Sequence, residues 1–531
     1  MNTTDRPFLR SEQEHNMYLT QALHQFLQQD PDRPMTIYRD RVRTARQVHD
    51  RVARLAGGLR GLGVAPGDRV GILSFNSDRY HEYLLAVPWL GAVLNPVNIR
   101  WSPDEVAYSL RDSDTRVLLV DDAFAPAIPA LRERWPGLQT VIHCGEDDLP
   151  DGTIDYEMLV ADTDPIDDTR TGGDTALGIF YTGGTTGTPK GVVLSHHNLL
   201  TSAFGSLATG QFVSPRGRLL HAAPMFHLAD LAAWCAACLV GTAHVIAPFF
   251  SPDEVVALIA RHRVTDALLV PTMIQLLVDD PSTDAADLSS LRHLVYGASP
   301  MPEGLLDRAR RAFPNTRFIQ AYGMTELSPV ATLLLPDEHD DPVLRRSAGR
   351  AAPHSEVRIV GPDDEELPRG TVGEVAVRGD HVMLGYWNRP QDTANAVRDG
   401  WMYTGDGGYM NENGYVFVVD RIKDMIISGG ENVYSAEVEN TLAKHPAVAT
   451  CAVIGIPDDR WGERVHAVVV LQQGSVASES ELREHVRSLI AGYKTPRTFE
   501  FVDALPMSGA GKILKRELRQ PYQTPSSSHV S

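Results

Sequence analysis

Residues 39–75 carry the pattern of a short strand, a helix and a second strand, and this alternation constrains the fold more than any other feature of the chain. Thr44 stands where a helix cap is needed, and Val48, Val52, Leu55, Leu59 and Leu62 follow at spacings of three and four, the period of one helical face. Gly61 and Gly63 stop the helix and Pro66-Gly67-Asp68 turns the chain. The apolar run VGILSF then reads as a buried strand, which predicts a parallel sheet. Similar alternation recurs at residues 84–97, 116–120, 267–270 and 291–296, so the large front portion is expected to be α/β.

Elsewhere the pattern changes. The acidic, glycine-bearing segment 161–174 lacks apolar periodicity and is expected to be a solvated connection separating two parts of one body. After about Ser347, short strands with turns (HSEVRIVG, GEVAVRG, GYVFVVD) predict a small β-rich, barrel-like subdomain. From Arg421 onward α and β elements alternate again, and the polar end QTPSSSHV is expected to be disordered from about residue 521.

Composition narrows the function classes. With 49 Lys+Arg against 68 Asp+Glu, a net charge of −19 argues against an electrostatic grip on nucleic acid or anionic lipid. Four cysteines in 531 residues cannot form a disulfide framework. The start MNTTDRPFLRSEQEHNMY has no apolar run that could serve as a signal peptide, and the longest apolar stretch, residues 231–247, reads as a buried helix and a strand, not a membrane span. Cys235 and Cys238 lie inside that stretch without a second pair to complete a zinc site, so they read as small core residues. A cytoplasmic location is expected from these absent signals.

The chemistry concentrates in the run Tyr181-Thr-Gly-Gly-Thr-Thr-Gly-Thr-Pro-Lys-Gly191. Its glycines let backbone N–H groups converge on an anion, its threonine hydroxyls add donors, and Lys190 supplies positive charge. It is not a Walker A loop, because Pro189 disfavours helical geometry at Thr188 and Gly191 follows the lysine. No Gly-x-Ser-x-Gly elbow and no His-Glu-x-x-His is present, which disfavours a hydrolase and a metalloenzyme.

Seven ordered signatures carry a resemblance: YTGGTTGTPKG at 181–191, PMFH at 224–227, YGASP at 296–300, QAYGMTE at 320–326, YTGD at 403–406, DRIKDMIISGGENVYSAEVE at 420–439 and PMSGAGKILKREL at 506–518. From about residue 15 to residue 519 the chain resembles the ANL superfamily of adenylate-forming enzymes, within it the fatty or aryl acyl-CoA ligases. The resemblance implies a large N-terminal domain, residues 1–420, made of two α/β subdomains and a barrel-like one. It implies a hinge at 421–424 and a small mobile α+β domain over 425–531. It implies an enzyme that uses ATP, Mg²⁺ and coenzyme A to convert a carboxylic acid to acyl-AMP and then to a thioester. Two variants stay open: thioesterification of preformed acyl-AMP only, or loading of a carrier-protein thiol. A non-catalytic nucleotide-binding regulator is disfavoured by the presence of Lys512, Glu326 and Asp406.

The resemblance also assigns residues. Thr182, Gly183, Gly184, Thr185, Thr186, Gly187, Thr188 and Lys190 would hold the β- and γ-phosphates, and Glu326 would bind Mg²⁺. Tyr322 would stack on adenine, with Gly297, Ala298, Ser299, Ala321, Gly323, Met324, Thr325 and Val418 shaping the nucleotide pocket. Asp406 and Arg421 would bind the ribose, and Lys512 would bridge the substrate carboxylate and the α-phosphate. Met225, Phe226, His227, Leu228, Leu231, Trp234 and Gly323 would line the acyl channel, His227 gating it and Trp234 shortening it. Lys423 would be the hinge pivot, and Gly429 and Gly430 would let the pantetheine arm pass. The chain departs from the commonest family pattern at Gly183, Ser299 and Ser435.

Overall fold

The computed structural model describes residues 16–182, 189–299, 301–421, 424–428, 431–458, 460–507 and 513–522. The helix expected after Thr44 spans Ala45–Gly61, and Thr44 and Gln47 form a reciprocal capping box at its start. Its strands, however, do not share one sheet. Arg41–Thr44 pairs antiparallel with Pro34–Tyr38 at the edge of a nine-stranded sheet, whereas Arg69–Leu73 sits inside an eight-stranded one. The helix therefore bridges two sheets instead of crossing over within one, a distinction that apolar spacing along the chain does not encode.

In the eight-stranded sheet, Ala176–Thr182, Val93–Pro96, Arg69–Leu73, Val117–Val120, Thr140–His143 and Ile154–Asp155 run parallel. Lys190–Ser195 returns antiparallel beside Ala176–Thr182, and the short strand Gly385–Tyr386 closes that edge. The segment 161–174, expected to separate two parts of one body, thus leads from the edge strand Ile154–Asp155 back into the same sheet. It is also pinned: Ile166 N–H donates to the Ala53 carbonyl, Thr169 N–H to the Trp89 carbonyl, and Asp168 accepts from Thr20 Oγ1 at 2.6 Å.

The nine-stranded sheet carries the parallel strands Pro34–Tyr38, Ala243–Ile246, Arg218–His221, Asp266–Leu269, His293–Gly297 and Arg317–Gly323. Helices Asp78–Trp89 and Leu228–Leu239 share one apolar core with strands of both sheets, and the first is buried along its whole length. Trp234 crosses between these helices, its indole N–H donating to His81 Nδ1 at 2.8 Å. Cys235 and Cys238 are buried free thiols, and among the described residues no group of three or more His, Cys, Asp or Glu side chains is placed to hold a metal ion. Among those residues, no helix is long and apolar enough to cross a membrane.

Beyond residue 347, Arg350–Ala351 and Gly385–Tyr386 join the two large sheets, and the other short strands up to Arg421 form a five-stranded antiparallel sheet that includes Gly373–Arg378, Trp401–Met410 and Val416–Arg421. A second five-stranded sheet belongs to the small C-terminal domain, which has its own apolar core built on Ile426, Val438, Val453, Val469 and Leu482.

Candidate active site

The expected nucleotide residues collect at strand ends. His293–Gly297 and Arg317–Gly323 are parallel neighbours with Gly297 opposite Ala321, so the segments 297–299 and 321–324 leave adjacent carboxyl ends, where open α/β sheets bind ligands. Backbone approach is close here: a Cβ on Gly297 would run into the Ala321 carbonyl, and one on Gly323 into the Pro329 carbonyl. Ala298 takes φ 67°, a left-handed conformation that costs a non-glycine residue energy and is found at ligand sites.

From Tyr322 the site extends in two directions. The Tyr322 hydroxyl donates to Asp406 Oδ2 at 2.7 Å. Asp406 is 7% exposed and lies directly across the sheet from Arg421, while Val418 faces Gly408 two rungs away. The Gly405 N–H donates to Glu374 Oε1 and Thr404 Oγ1 to the Val375 carbonyl, which fixes the irregular stretch of strand Trp401–Met410 that presents Asp406. In the other direction, Glu326 sits on the single turn Thr325–Leu327, 6% exposed, and Tyr386 Oη donates to its Oε1 at 2.8 Å.

The threonine- and glycine-rich run joins Ala176–Thr182 to Lys190–Ser195, with Thr182 opposite Lys190. Its return as a strand agrees with the exclusion of a Walker A helix. Lys190 Nζ lies 3.2 Å from Asp392 Oδ1 and 5.0 Å from the centre of the Tyr386 ring. At the base of the hairpin, Tyr181 Oη donates to Asp112 Oδ2 at 2.6 Å, and Trp387 Nε1 donates to the Asp112 carbonyl at 2.9 Å. Gly183, Gly184, Thr185, Thr186, Gly187 and Thr188 lie outside the described residues, as do Lys423, Gly429, Gly430, Lys512 and residues 523–531 of the expected tail; its expected start at about 521 instead falls in the turn Gln520–Tyr522, where Tyr522 Oη donates to Glu500 Oε2 at 2.9 Å.

The expected acyl residues surround the start of helix Leu228–Leu239. His227 occupies its cap position in extended geometry, half-buried, with its ring 4.3 Å from that of Phe226. Met225 and Leu231 are 1% exposed and Trp234 is fully buried. Met225 N–H donates to Asn76 Oδ1 at 2.8 Å, fixing the loop on the first sheet's side of the core. Ala321, Tyr322, Met324 and Val418 pack on the same large core to which Met225, Leu231 and Trp234 belong.

Tyr386, Asp392, Asp112 and Asn76 escaped the sequence reading. The run GYWNRPQDTA, which carries the first two, offered an aromatic pair beside charges but no spacing that links it to residue 190 or 326.

The family model of the AMP-binding enzyme matches residues 23–387, and that of the AMP-binding enzyme C-terminal domain matches 437–512. The chain belongs to the ANL superfamily of adenylate-forming enzymes. Among its relatives in this superfamily is a feruloyl-CoA synthase of Amycolatopsis, 42% identical over 480 residues that cover 90% of this chain and 94% of that protein. Another is a fatty acid–[acyl-carrier-protein] ligase, ScoC, of Streptomyces coeruleorubidus, 38% identical, covering 97% of this chain and 98% of its own. Among solved structures, o-succinylbenzoate CoA synthetase of Bacillus subtilis, in complex with its acyl-adenylate intermediate, superposes with a TM-score of 0.83. It is 31% identical, with 94% of this chain and 98% of that one covered.

Proposed function

We propose that this adenylate-forming enzyme is an acyl-CoA ligase that performs both half-reactions in the cleft lined by Lys190, Glu326, Tyr322 and Asp406. The observation that carries the reading is a pair of contacts that each fix a buried carboxylate with a tyrosine hydroxyl: Asp406 held by Tyr322 and Glu326 held by Tyr386.

A carboxylate is a poor acylating agent because its leaving group would be oxide. Its oxygen attacks the α-phosphate of ATP, the bond to the β-phosphate oxygen breaks, and acyl-AMP and pyrophosphate result. The CoA thiolate then attacks the acyl carbon, the bond to the phosphate oxygen breaks, and AMP leaves. The first step brings anions together, so preorganised donors and cations lower its barrier. Thr182 and Lys190, with residues 183–188, hold the β- and γ-phosphates. Asp406 and Arg421 hold the ribose diol, Tyr322 stacks on adenine, and the backbone of 297–299 and 321–324 walls the pocket, with Val418 behind. Lys512 bridges the attacking carboxylate and the α-phosphate. Lys423 is the pivot about which the small domain over 425–531 turns between the two steps, and Gly429 and Gly430 admit the pantetheine arm.

A divalent cation fits this donor set. Glu326 offers a buried, hydrogen-bonded carboxylate, a hard oxygen ligand whose remaining partners would be phosphate and water oxygens. Mg²⁺ bound there would neutralise phosphate charge. The acid would enter beside half-buried His227, and the bulk of Trp234, buried with Met225 and Leu231 behind it, favours a compact or ring-bearing body over a long straight chain.

The experiment is ATP–pyrophosphate exchange and AMP release over a panel of fatty, aryl and polycyclic acids, with and without CoA. Exchange without CoA, and AMP release matched by thioester when CoA is added, are expected. Exchange with AMP release only on a carrier protein would move the acceptor to the one named for the Streptomyces relative. No exchange with any acid, but thioester from supplied acyl-AMP, would reduce the chain to the second half-reaction.

A further inference from the structure

Tyr386 lies between two charged groups of the proposed site. Its hydroxyl donates to Glu326 Oε1 at 2.8 Å, and the Lys190 ammonium stands 5.0 Å from its ring centre, within cation–π range. Its backbone is fixed on both sides. Tyr386 is opposite Val192 in the edge strand pair, its N–H donates to Thr393 Oγ1 at 2.9 Å, and Trp387 N–H donates to the Gly191 carbonyl at 2.7 Å. The carbonyl of Glu326 also accepts from Met383 N–H at 2.9 Å, so segment 383–387 grips Glu326 by backbone and side chain together.

We propose that Tyr386 is a positioning residue that sets the Glu326 carboxylate for the divalent cation of the nucleotide, and that it couples this carboxylate to Lys190. A carboxylate on a one-turn segment can rotate about its side-chain torsions, and a ligand that must be reoriented on binding loses affinity. The hydroxyl bond removes that freedom. The lysine above the ring draws electron density from the phenol and strengthens its O–H as a donor, so the cation that meets the phosphates and the carboxylate that meets the metal are set by one ring. The inference rests on the proposed role of Glu326.

The test is calorimetric binding of α,β-methylene-ATP to the full chain, with and without Mg²⁺, in wild type, Tyr386→Phe, Glu326→Gln and the double variant. The ratio of the two affinities is expected to fall roughly 10-fold in Tyr386→Phe, the scale of one hydrogen bond to a charged group. It should collapse in Glu326→Gln, and the double variant should match Glu326→Gln because both changes act through one carboxylate. An unchanged ratio in Tyr386→Phe, or equal weakening with and without Mg²⁺, would overturn the positioning role while leaving Glu326 as the ligand. An unchanged ratio in Glu326→Gln would instead overturn the metal reading beneath it.

Discussion

Tyr322 and Asp406 stand 84 residues apart, and the hydroxyl of the first donates to Oδ2 of the second at 2.7 Å. The bond ties the strand end that would wall the nucleotide pocket to the strand that would hold the ribose. Asp406 is almost fully enclosed, so its carboxylate is oriented by the protein before any ligand arrives. Asp406→Ala should therefore erase discrimination between ATP and 2′-deoxy-ATP and weaken ATP by roughly 10–100-fold, the range for losing hydrogen bonds to a charged group. Pyrophosphate exchange with the two nucleotides measures this, and retained preference for ATP in the variant would show that Asp406 does not meet the ribose.

Lys512 stands in SGAGK, and its expected role is confined to the first half-reaction. Lys512→Ala should slow acyl-AMP formation by roughly 10²–10³-fold, as for the loss of one transition-state donor, while thioester formation from supplied acyl-AMP continues. Pyrophosphate exchange at the wild-type rate would leave the lysine without a part in the chemistry.

Three residues after Lys512, Lys515 Nζ lies 2.8 Å from Glu439 Oε1 and bonds to Ser435 Oγ, and Val453 N–H donates to the same carboxylate oxygen at 2.7 Å. Burial pushes the Glu439 carboxyl up, and the lysine opposes it. Lys515→Met strips the cation from this site and should destabilise the small domain by about 2 kcal/mol. Pairing it with Glu439→Leu should recover part of that loss, because an apolar pair carries no desolvation cost. Hydrogen exchange in helix Ser435–Leu442 reads the effect, and equal protection in wild type and Lys515→Met would refute it.

How much of this was legible along the chain depended on distance. Thr44, Gln47 and the apolar face of Ala45–Gly61 are local, so the helix and its start could be read directly. The hairpin around residues 182–190 was marked by its own glycines, threonines and lysine, and Glu326 and Asp406 by the runs that flank them. The sheet to which each strand belongs was not legible: VGILSF would look the same in either sheet, and its place is set by pairing with the distant strands Val93–Pro96 and Val117–Val120. Nor were the braces of the site. Asp112 meets Tyr181 across 69 residues and Trp387 across 275, and Tyr386 meets Glu326 across 60, with nothing in their local composition that differs from an ordinary surface turn.

Buried neutral histidines give the large body a pH dependence whose sign can be worked out. His196 is 1% exposed, and its Nδ1 accepts from Leu19 N–H at 3.2 Å, an acceptor role that a protonated ring would lose. Burial lowers its pKa from 6.5 to about 4, with Asp168 opposing weakly. The unfolded chain therefore binds a proton that the folded chain refuses between pH 6.5 and about 4, so this contribution is intact above 6.5 and is lost as the pH falls through that window. His81 and His381, each lowered to about 3 by burial and a neighbouring histidine, act in the same direction. At full effect one such group removes about 1.4 kcal/mol per pH unit. The urea midpoint should consequently drop between pH 7 and pH 5, and His196→Gln, whose amide oxygen can accept from Leu19 without titrating, should drop less. Parallel pH profiles for the two proteins would mean that His196 takes up its proton in the folded state as readily as in the unfolded one.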